Sequence, residues 1–353
     1  MTQMRAAIFN GPYSIETISK EVPSLKLPTD ALVKVKYSGL CGSDLHYYRG
    51  HIPLEKGTTM GHEFVGTIVE KGSDILDLEF EVGDIVVSTF TIQCGECYYC
   101  KLGNSGTCEK TNTFGKPGLE GGQAEYVLVP FARSTLFKLD SDAITFVLMA
   151  DIFVTAFFGV QKILRQFRGI ADPSNISVLQ IGAGPVGLCS VRILKWYGFS
   201  SIVVVDSIDD RLKHAIKLGA TALVNFTAEP DKLTALISSD LESRGFDAVL
   251  ECVGASSAMD TAFKSVRKGG FIASVGMGHD QLPFDALQAY VKGVTISFGR
   301  CNAWSLFQDA LDVFKQIKND FNDFIEVVAL IEDASECYKK FDEGKVKKVV
   351  FQF

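Results

Sequence analysis

The stretch Ile176-Ser177-Val178-Leu179-Gln180-Ile181 has the pattern of a buried strand, and it runs without a break into Gly182-Ala183-Gly184-Pro185-Val186-Gly187. A helical pattern follows over residues 186–197. Three glycines in this context constrain the fold more than any other feature of the chain. Gly182 permits a tight turn, Gly184 lets a phosphate approach the backbone, and Gly187 allows the helix to lie close against the strand. With Pro185 and Val186 at its head, the helix offers a pyrophosphate free N–H groups and a favourable dipole. The next strand-like run, Ile202-Val203-Val204-Val205, ends at Asp206, nineteen residues past Gly187. A carboxylate there hydrogen-bonds the adenosine ribose hydroxyls of NAD and repels the 2′-phosphate of NADP. Arg211 is close enough in sequence to reach the same ribose or the adjacent phosphate. The plainer alternative for Asp206 is a strand-end turn residue.

The alternation continues on both sides of this motif. Strand-like residues 176–181, 201–205, 246–251, 271–275 and 294–298 are interspersed with helix-like residues 186–197, 210–218 and 258–267. This predicts an α/β domain with a doubly wound parallel sheet. The first 150 residues read differently. Short β patterns at 5–9, 31–37, 63–70, 84–88 and 124–129 are separated by turn signals such as Asn10-Gly11-Pro12 and Lys71-Gly72-Ser73. They predict a β-rich, barrel-like domain. After Gly299 a helix (305–317) and short strands (327–331, 346–351) return, able to pack back onto the first domain. The expected organisation is therefore a β-rich domain over 1–150, completed by 301–353, and a dinucleotide-binding domain over 151–300.

A length of 353 residues with 47 % hydrophobic content can core two such domains. A net charge of -7 argues against a nucleic-acid footprint. No run of eighteen apolar residues occurs, so no membrane span is expected. Residues 1–10 lack the apolar segment of a secretory signal, and the last three residues are not a peroxisomal tripeptide. A cytoplasmic location is expected.

Four of the nine cysteines, Cys94, Cys97, Cys100 and Cys108, fall at spacing C-x2-C-x2-C-x7-C. Tetrahedral zinc takes four soft ligands at such spacings, and a site closed by four thiolates is structural. The other five, Cys41, Cys189, Cys252, Cys301 and Cys337, are scattered, which fits a reducing compartment. Two further segments carry zinc-ligand residues: Cys41-Gly42-Ser43-Asp44-Leu45-His46, and Gly61-His62-Glu63-Phe64-Val65-Gly66. Cys41 and His62 suit a catalytic zinc, which keeps three protein ligands and one exchangeable position. The residues alone do not identify the third ligand, and a lone Cys and a lone His can also be two core residues.

These two segments, the four-cysteine loop and the glycine motif with its acid occur in an order that resembles the zinc-dependent medium-chain alcohol dehydrogenases, in their secondary-alcohol and polyol branch. The resemblance implies that the chain's ends form a GroES-like catalytic domain and its middle a Rossmann domain. It implies Cys41, His62 and Asp151 as catalytic zinc ligands, with Glu63 near the metal or bound to it, and a second, structural zinc. Asp44 is expected to accept the other ring N–H of His62. By the same resemblance, zinc activates an alcohol, hydride passes to NAD, and Ser43 hands the proton through the nicotinamide ribose to His46. A surface histidine is the alternative for His46. Also by resemblance, Phe90 is a pocket wall, Val253 and Val275 border the nicotinamide, and Arg300 lies near the pyrophosphate or substrate.

Two rivals stand beside this reading. A zinc-free reductase of the same superfamily would need none of the metal-binding residues. A zinc- and NAD-binding structural or sensor protein would not need Ser43 and His46. Within the enzyme reading, sorbitol-type polyol dehydrogenases share Cys41-Gly42-Ser43-Asp44-x-His46-Tyr47 but have Glu-Pro where Asp151-Ile152 stands. By the same resemblance, secondary-alcohol and formaldehyde dehydrogenases more often carry the Asp, so a secondary alcohol or its ketone is expected first, and polyols second. Phe153, Phe157, Phe158 and Trp304 suggest an apolar pocket, with core packing as the alternative. A homodimer or homotetramer joined through the strand near 294–298 is expected by analogy.

Overall fold

Ten mostly buried residues, Ala31–Leu40, form the strand around which the first of two units is built. In this computed structural model, which describes residues 2–240, 243–278 and 281–353, that unit comprises Met1–Val154 and Asn302–Phe353. The first half of the strand pairs with Tyr126–Val129, and the second half with Val349–Gln352 near the end of the chain. Its other edge pairs antiparallel with Glu63–Lys71, which is followed in the sheet by Ile85–Ser88 and Leu136–Lys138. Val327–Ala329 lies parallel to Val349–Gln352 and closes the far edge. A hairpin of Gln3–Gly11 and Ser14–Glu21 forms a separate two-stranded sheet, tied to the rest of the unit by bridges at Ala6–Ala124 and Ile8–Thr59. Apolar side chains from the sheet, among them Val33, Val35, Phe64, Val86 and Val127, fill one core with Phe114. Alternation with period two is what lets these strands bury one face.

The second unit, Thr155–Cys301, is a six-stranded sheet in the order Ala222–Asn225, Ser201–Asp206, Ser177–Ile181, Phe246–Glu251, Val266–Ser274, Thr295–Ser297. All five pairings are parallel. In chain order this is 3-2-1-4-5-6, the doubly wound arrangement in which a dinucleotide lies across the strands' C-terminal ends. Every residue of Ser177–Ile181 is buried, as a central strand covered on both faces requires. No single helix among the described residues is long and apolar enough to cross a membrane.

Candidate active site

Asp151 ends a 3-10 segment, Ile144–Ala150, and precedes the helix Ile152–Phe167. Cys41 follows the central strand of the first unit, and His62 precedes the neighbouring strand Glu63–Lys71. This topology brings Cys41, His62, Glu63 and Asp151 together, with one ligand atom from each lying within 4.8 Å of the others. Cys41 Sγ is 3.6 Å from Asp151 Oδ2, and His62 Nε2 is 3.2 Å from the same oxygen. His62 Nδ1 faces Asp44 Oδ1 at 3.2 Å. The second Asp44 oxygen accepts from the Cys41 backbone N–H at 3.0 Å, so one buried carboxylate orients two candidate ligands. With Nδ1–H committed to Asp44, only a proton or a metal cation can stand between Nε2 and the Asp151 carboxylate. Burial would push the His62 pKa down, but the charge of Asp44 and bonds to Asp151, Asp44 and Cys41 outweigh it and raise it well above the usual histidine value. Burial first, then Asp151, pushes the Cys41 thiol up.

Glu63 is completely buried. Its Oε2 pairs with Lys348, which is equally buried and also donates to the Leu40 carbonyl at 3.1 Å. Its Oε1 has no hydrogen-bond partner among the described residues. A buried acceptor left open in a cluster of ligand atoms suits a cation. A divalent ion would offset a Cys41 thiolate and Asp151, and Lys348 offsets Glu63, while Asp44 is met by N–H donors of His62 and Cys41. Gly39 stands opposite Glu63 in the sheet, and a Cβ there would lie 1.9 Å from Glu63 Oε2. The carboxylate thus occupies space that a glycine leaves. Lys348 was not singled out from the sequence, where it sits within a lysine-rich stretch at the head of a terminal strand. The available signal was a charged residue entering an apolar run, Val349-Val350-Phe351.

Ser43 Oγ lies 3.4 Å from Cys41 Sγ and 3.2 Å from His62 Nε2, at the rim of the cluster. His46 is one turn on, in the short helix Asp44–Tyr48, with its ring 6.1 Å from that of His51. Phe90 is half-buried, and its backbone N–H donates to the Ala150 carbonyl at 2.9 Å, next to Asp151. Phe153 packs edge-on against Phe314 and Phe321 in the core, and Phe157 and Phe158 are buried as well. Trp304 approaches Gly95.

The ligand atoms of Cys94, Cys97, Cys100 and Cys108 also lie within 4.8 Å of one another. The Cys94 N–H points at Cys108 Sγ (3.3 Å), the Cys97 N–H at Cys94 Sγ (3.4 Å) and the Lys110 N–H at Cys108 Sγ (3.4 Å). Backbone N–H groups of Cys100 and Glu109 pull the Cys97 thiol down to about 6. Donors aimed at sulfur favour the thiolate that a metal needs, whereas burial outweighs them at Cys100 and Cys108 and pushes those thiols up. Asn302 Oδ1 accepts from the Gly106 N–H at 3.0 Å, fastening this loop to the start of the helix Ala303–Ile317.

In the second unit Gly182 takes φ +96°, and a Cβ on Gly187 would lie 2.1 Å from the Gly182 carbonyl oxygen. Nothing lies within 4 Å of the Cβ position of Gly184. Pro185 and Val186 open the helix Pro185–Trp196. Asp206 is buried, and its two oxygens accept from the Ala183 N–H at 2.7 Å and the Ile208 N–H at 2.9 Å. It therefore fastens the glycine loop to the neighbouring strand end, a role not read from the sequence. Arg211 is half-buried in the next helix, Asp209–Leu218. Val253 is exposed, Val275 half-buried, and Arg300 exposed.

A β-rich unit with a cysteine–histidine–carboxylate cluster and a four-thiol loop, joined to a doubly wound sheet with a glycine-rich phosphate turn, defines a zinc-binding dehydrogenase of the GroES-like and Rossmann type. Comparison with known proteins agrees. Residues 27–141 match the family of the alcohol dehydrogenase GroES-like domain, and residues 185–316 that of the zinc-binding dehydrogenases. The chain is 40% identical over 355 residues to zinc-type alcohol dehydrogenase B of Aspergillus flavus, covering 99% of this chain and 81% of that one. It is 45% identical over 294 residues to a medium-chain reductase/dehydrogenase of an Acremonium species, covering 82% and 99%. Among solved structures, an alcohol dehydrogenase from Thermus sp. ATN1 superposes with a TM-score of 0.90 at 33% identity, covering 99% of each chain. The chain belongs to the zinc-dependent medium-chain alcohol dehydrogenase family, and it is an oxidoreductase acting on alcohols.

Proposed function

We propose that this enzyme interconverts a secondary alcohol and its ketone with NAD, using a catalytic zinc held by Cys41, His62 and Asp151 with Glu63 close by, and a structural zinc held by Cys94, Cys97, Cys100 and Cys108. The observation that carries this reading is the convergence of four candidate ligand atoms, one of them a buried carboxylate oxygen without a partner. When bound, zinc supplies a Lewis acid that eases loss of the alcohol proton, and NAD supplies the hydride acceptor. The chain's own residues do the rest. Asp44 fixes the His62 ring so that Nε2 faces the metal position. Ser43, at the rim, can accept the substrate's proton and donate its own, and His46 receives it on the way to solvent. Asp151, the carboxylate that secondary-alcohol and formaldehyde dehydrogenases carry by resemblance, supports these classes over polyols.

Glycine-loop geometry and Asp206 support NAD. Each unit has one assignment in this reading: the first holds the metals and the second the dinucleotide. The edge strand Thr295–Ser297 supports assembly of identical chains into a dimer or tetramer. The four-thiol loop can hold metal only when its cysteines are reduced, as thiolates, which supports a reducing, cytoplasmic compartment. Steady-state kinetics with a panel of secondary alcohols, primary alcohols and polyols tests the reading. With NAD the best secondary alcohol is expected to exceed NADP turnover by about two to three decades in kcat/KM. Equal use of both cofactors, or a preference for polyols, would contradict it.

A further inference from the structure

Glu251 is completely buried at the C-terminal end of the strand Phe246–Glu251, and nothing in the steps above uses it. Every partner of its carboxylate is a donor. Oε1 accepts from the backbone N–H groups of Val253 and Gly254, each at 2.6 Å, and Oε2 accepts from the Ser274 hydroxyl at 2.8 Å. Its own carbonyl accepts from Val275 N at 2.9 Å and Gly276 N at 3.3 Å. One residue therefore gathers two chain reversals, the turn after its own strand and the turn after Val266–Ser274.

The two turns touch backbone to backbone. A Cβ on Gly276 would lie 2.2 Å from Gly254 N, and one on Gly278 would lie 1.9 Å from Gly254 O. Gly254 itself takes φ +82°, and its Cβ would lie 2.5 Å from the Met277 carbonyl carbon. No other residue type fits this seam without displacing main chain. The seam also reaches the phosphate turn, because Val253 Cγ2 lies 2.8 Å from where a Gly182 Cβ would be.

Position gives the seam a meaning. Asp206 ends the strand on one side of Ser177–Ile181, and Glu251 ends the strand on the other. In the 3-2-1-4-5-6 sheet the dinucleotide lies across that divide, with adenosine on the Asp206 side, so its other nucleotide faces the seam. We propose that Glu251 is a positioning residue for the nicotinamide half of the cofactor. Its carboxylate locks the turns at 252–254 and 275–278 into one backbone surface that presents N–H and C=O groups to the nicotinamide. This inference rests on the NAD reading above.

The test uses the full-length, zinc-loaded protein and two probes: NADH, followed by its nicotinamide fluorescence, and ADP-ribose, which lacks the nicotinamide, followed by calorimetry. Glu251→Leu removes both acceptors and is expected to weaken NADH about 30-fold while ADP-ribose changes less than about threefold. Glu251→Gln keeps one oxygen for the N–H pair and turns an amide N–H toward the Ser274 hydroxyl, so it is expected to bind NADH within about threefold of the parent. Should Glu251→Leu fail to fold, Ser274→Ala removes one donor and is expected to weaken NADH about three- to fivefold with ADP-ribose unchanged. Equal weakening of both probes, or NADH binding that neither Glu251→Leu nor Ser274→Ala alters, overturns the proposal. If the parent protein binds ADP-ribose but the variants lose it together with NADH, Glu251 is a general support of the sheet. If the parent binds neither probe, the NAD reading falls and takes this inference with it.

Discussion

At the scale of single residues, the most consequential pair is one that a sequence reading divides. Glu63 lies beside a recognisable ligand motif, whereas Lys348 is near the chain's end, yet both side chains are completely buried and paired. A buried ion pair adds little by itself, but removing one partner leaves an uncompensated charge and costs about 3–5 kcal/mol. Burial would lower the Lys348 pKa, but the charges of Glu63 and Cys41 raise it, while burial pushes the Glu63 carboxyl up against the pull of Lys348. The lysine thus stays charged and holds Glu63 Oε2. Lys348→Met should destabilise the metal-free protein by about that amount at pH 7. It should cost clearly less in the zinc-loaded protein, because the metal can then meet the freed carboxylate. Denaturant unfolding with and without zinc measures both. An equal loss in the two states would mean that Glu63 does not reach the metal.

Secondary-structure elements show a division of labour along the parallel sheet. The C-terminal strand ends carry the glycine turn, Asp206 and Glu251, while the opposite end of the sheet is fastened by Asp247. That carboxylate accepts from Ser177 N (2.9 Å), Ser177 Oγ (2.8 Å) and Arg267 Nε (2.7 Å), tying three adjacent strands at their starts. Burial pushes its pKa up, but Arg267 and the Ser177 donors outweigh this and hold it below the usual carboxylate value of 3.8. A depressed folded-state pKa contributes stability above the unfolded pKa and loses it as pH falls through the folded one. Asp247→Asn should therefore cost about 1–2 kcal/mol at pH 7 and at pH 5, with the gap to the parent narrowing below about pH 4. A gap that stays constant to the lowest pH at which both proteins fold would show that charge plays no part. The same elements explain what the sequence could and could not reveal. Ser177–Ile181 and Phe246–Glu251 are apolar runs between clear turns, and they form where the pattern places them. The strand Ser14–Glu21 carries polar residues on both faces and shows little alternation, so it was missed. The helix Ile152–Phe167 is strongly amphipathic, so its period of 3.6 was legible, yet the stretch was read for the ligand Asp151 at its head rather than for a helix. At the site, ligand types at known spacings were legible, whereas Lys348 and Glu251 act through partners that only the folded sheet brings near.

For the whole molecule, one edge of the second unit's sheet stands out among the described residues. Thr295–Ser297 is the last strand of its sheet, and the adjoining Phe298 is 52% exposed. The helix before it, Ala286–Lys292, is well made: Asp285 and Gln288 form a capping box, and Gly293 closes its C-terminus in a left-handed conformation. Yet it buries none of its residues, and Leu287, Tyr290 and Val291 are 68%, 83% and 69% exposed. A short helix draws its stability from an apolar face packed on something, and this one is held to its own unit through Lys292, which lies over the Phe263 ring and donates to the Phe263 carbonyl, while most of its apolar side chains face outward. An open parallel edge beside such a patch is also an aggregation hazard unless it is covered. A second copy meeting the same edge would extend the sheet and bury both patches about a two-fold axis. The parent protein should accordingly sediment as a dimer or tetramer at micromolar concentration. The double substitution Val291→Glu and Phe298→Glu should weaken association by about two decades or more, since each buried carboxylate would lack a partner. Because neither residue is buried within the chain, the unfolding transition of the resulting monomer should persist. A parent protein that sediments as a monomer, or a double variant that assembles as tightly as the parent, would rule out this edge as the interface.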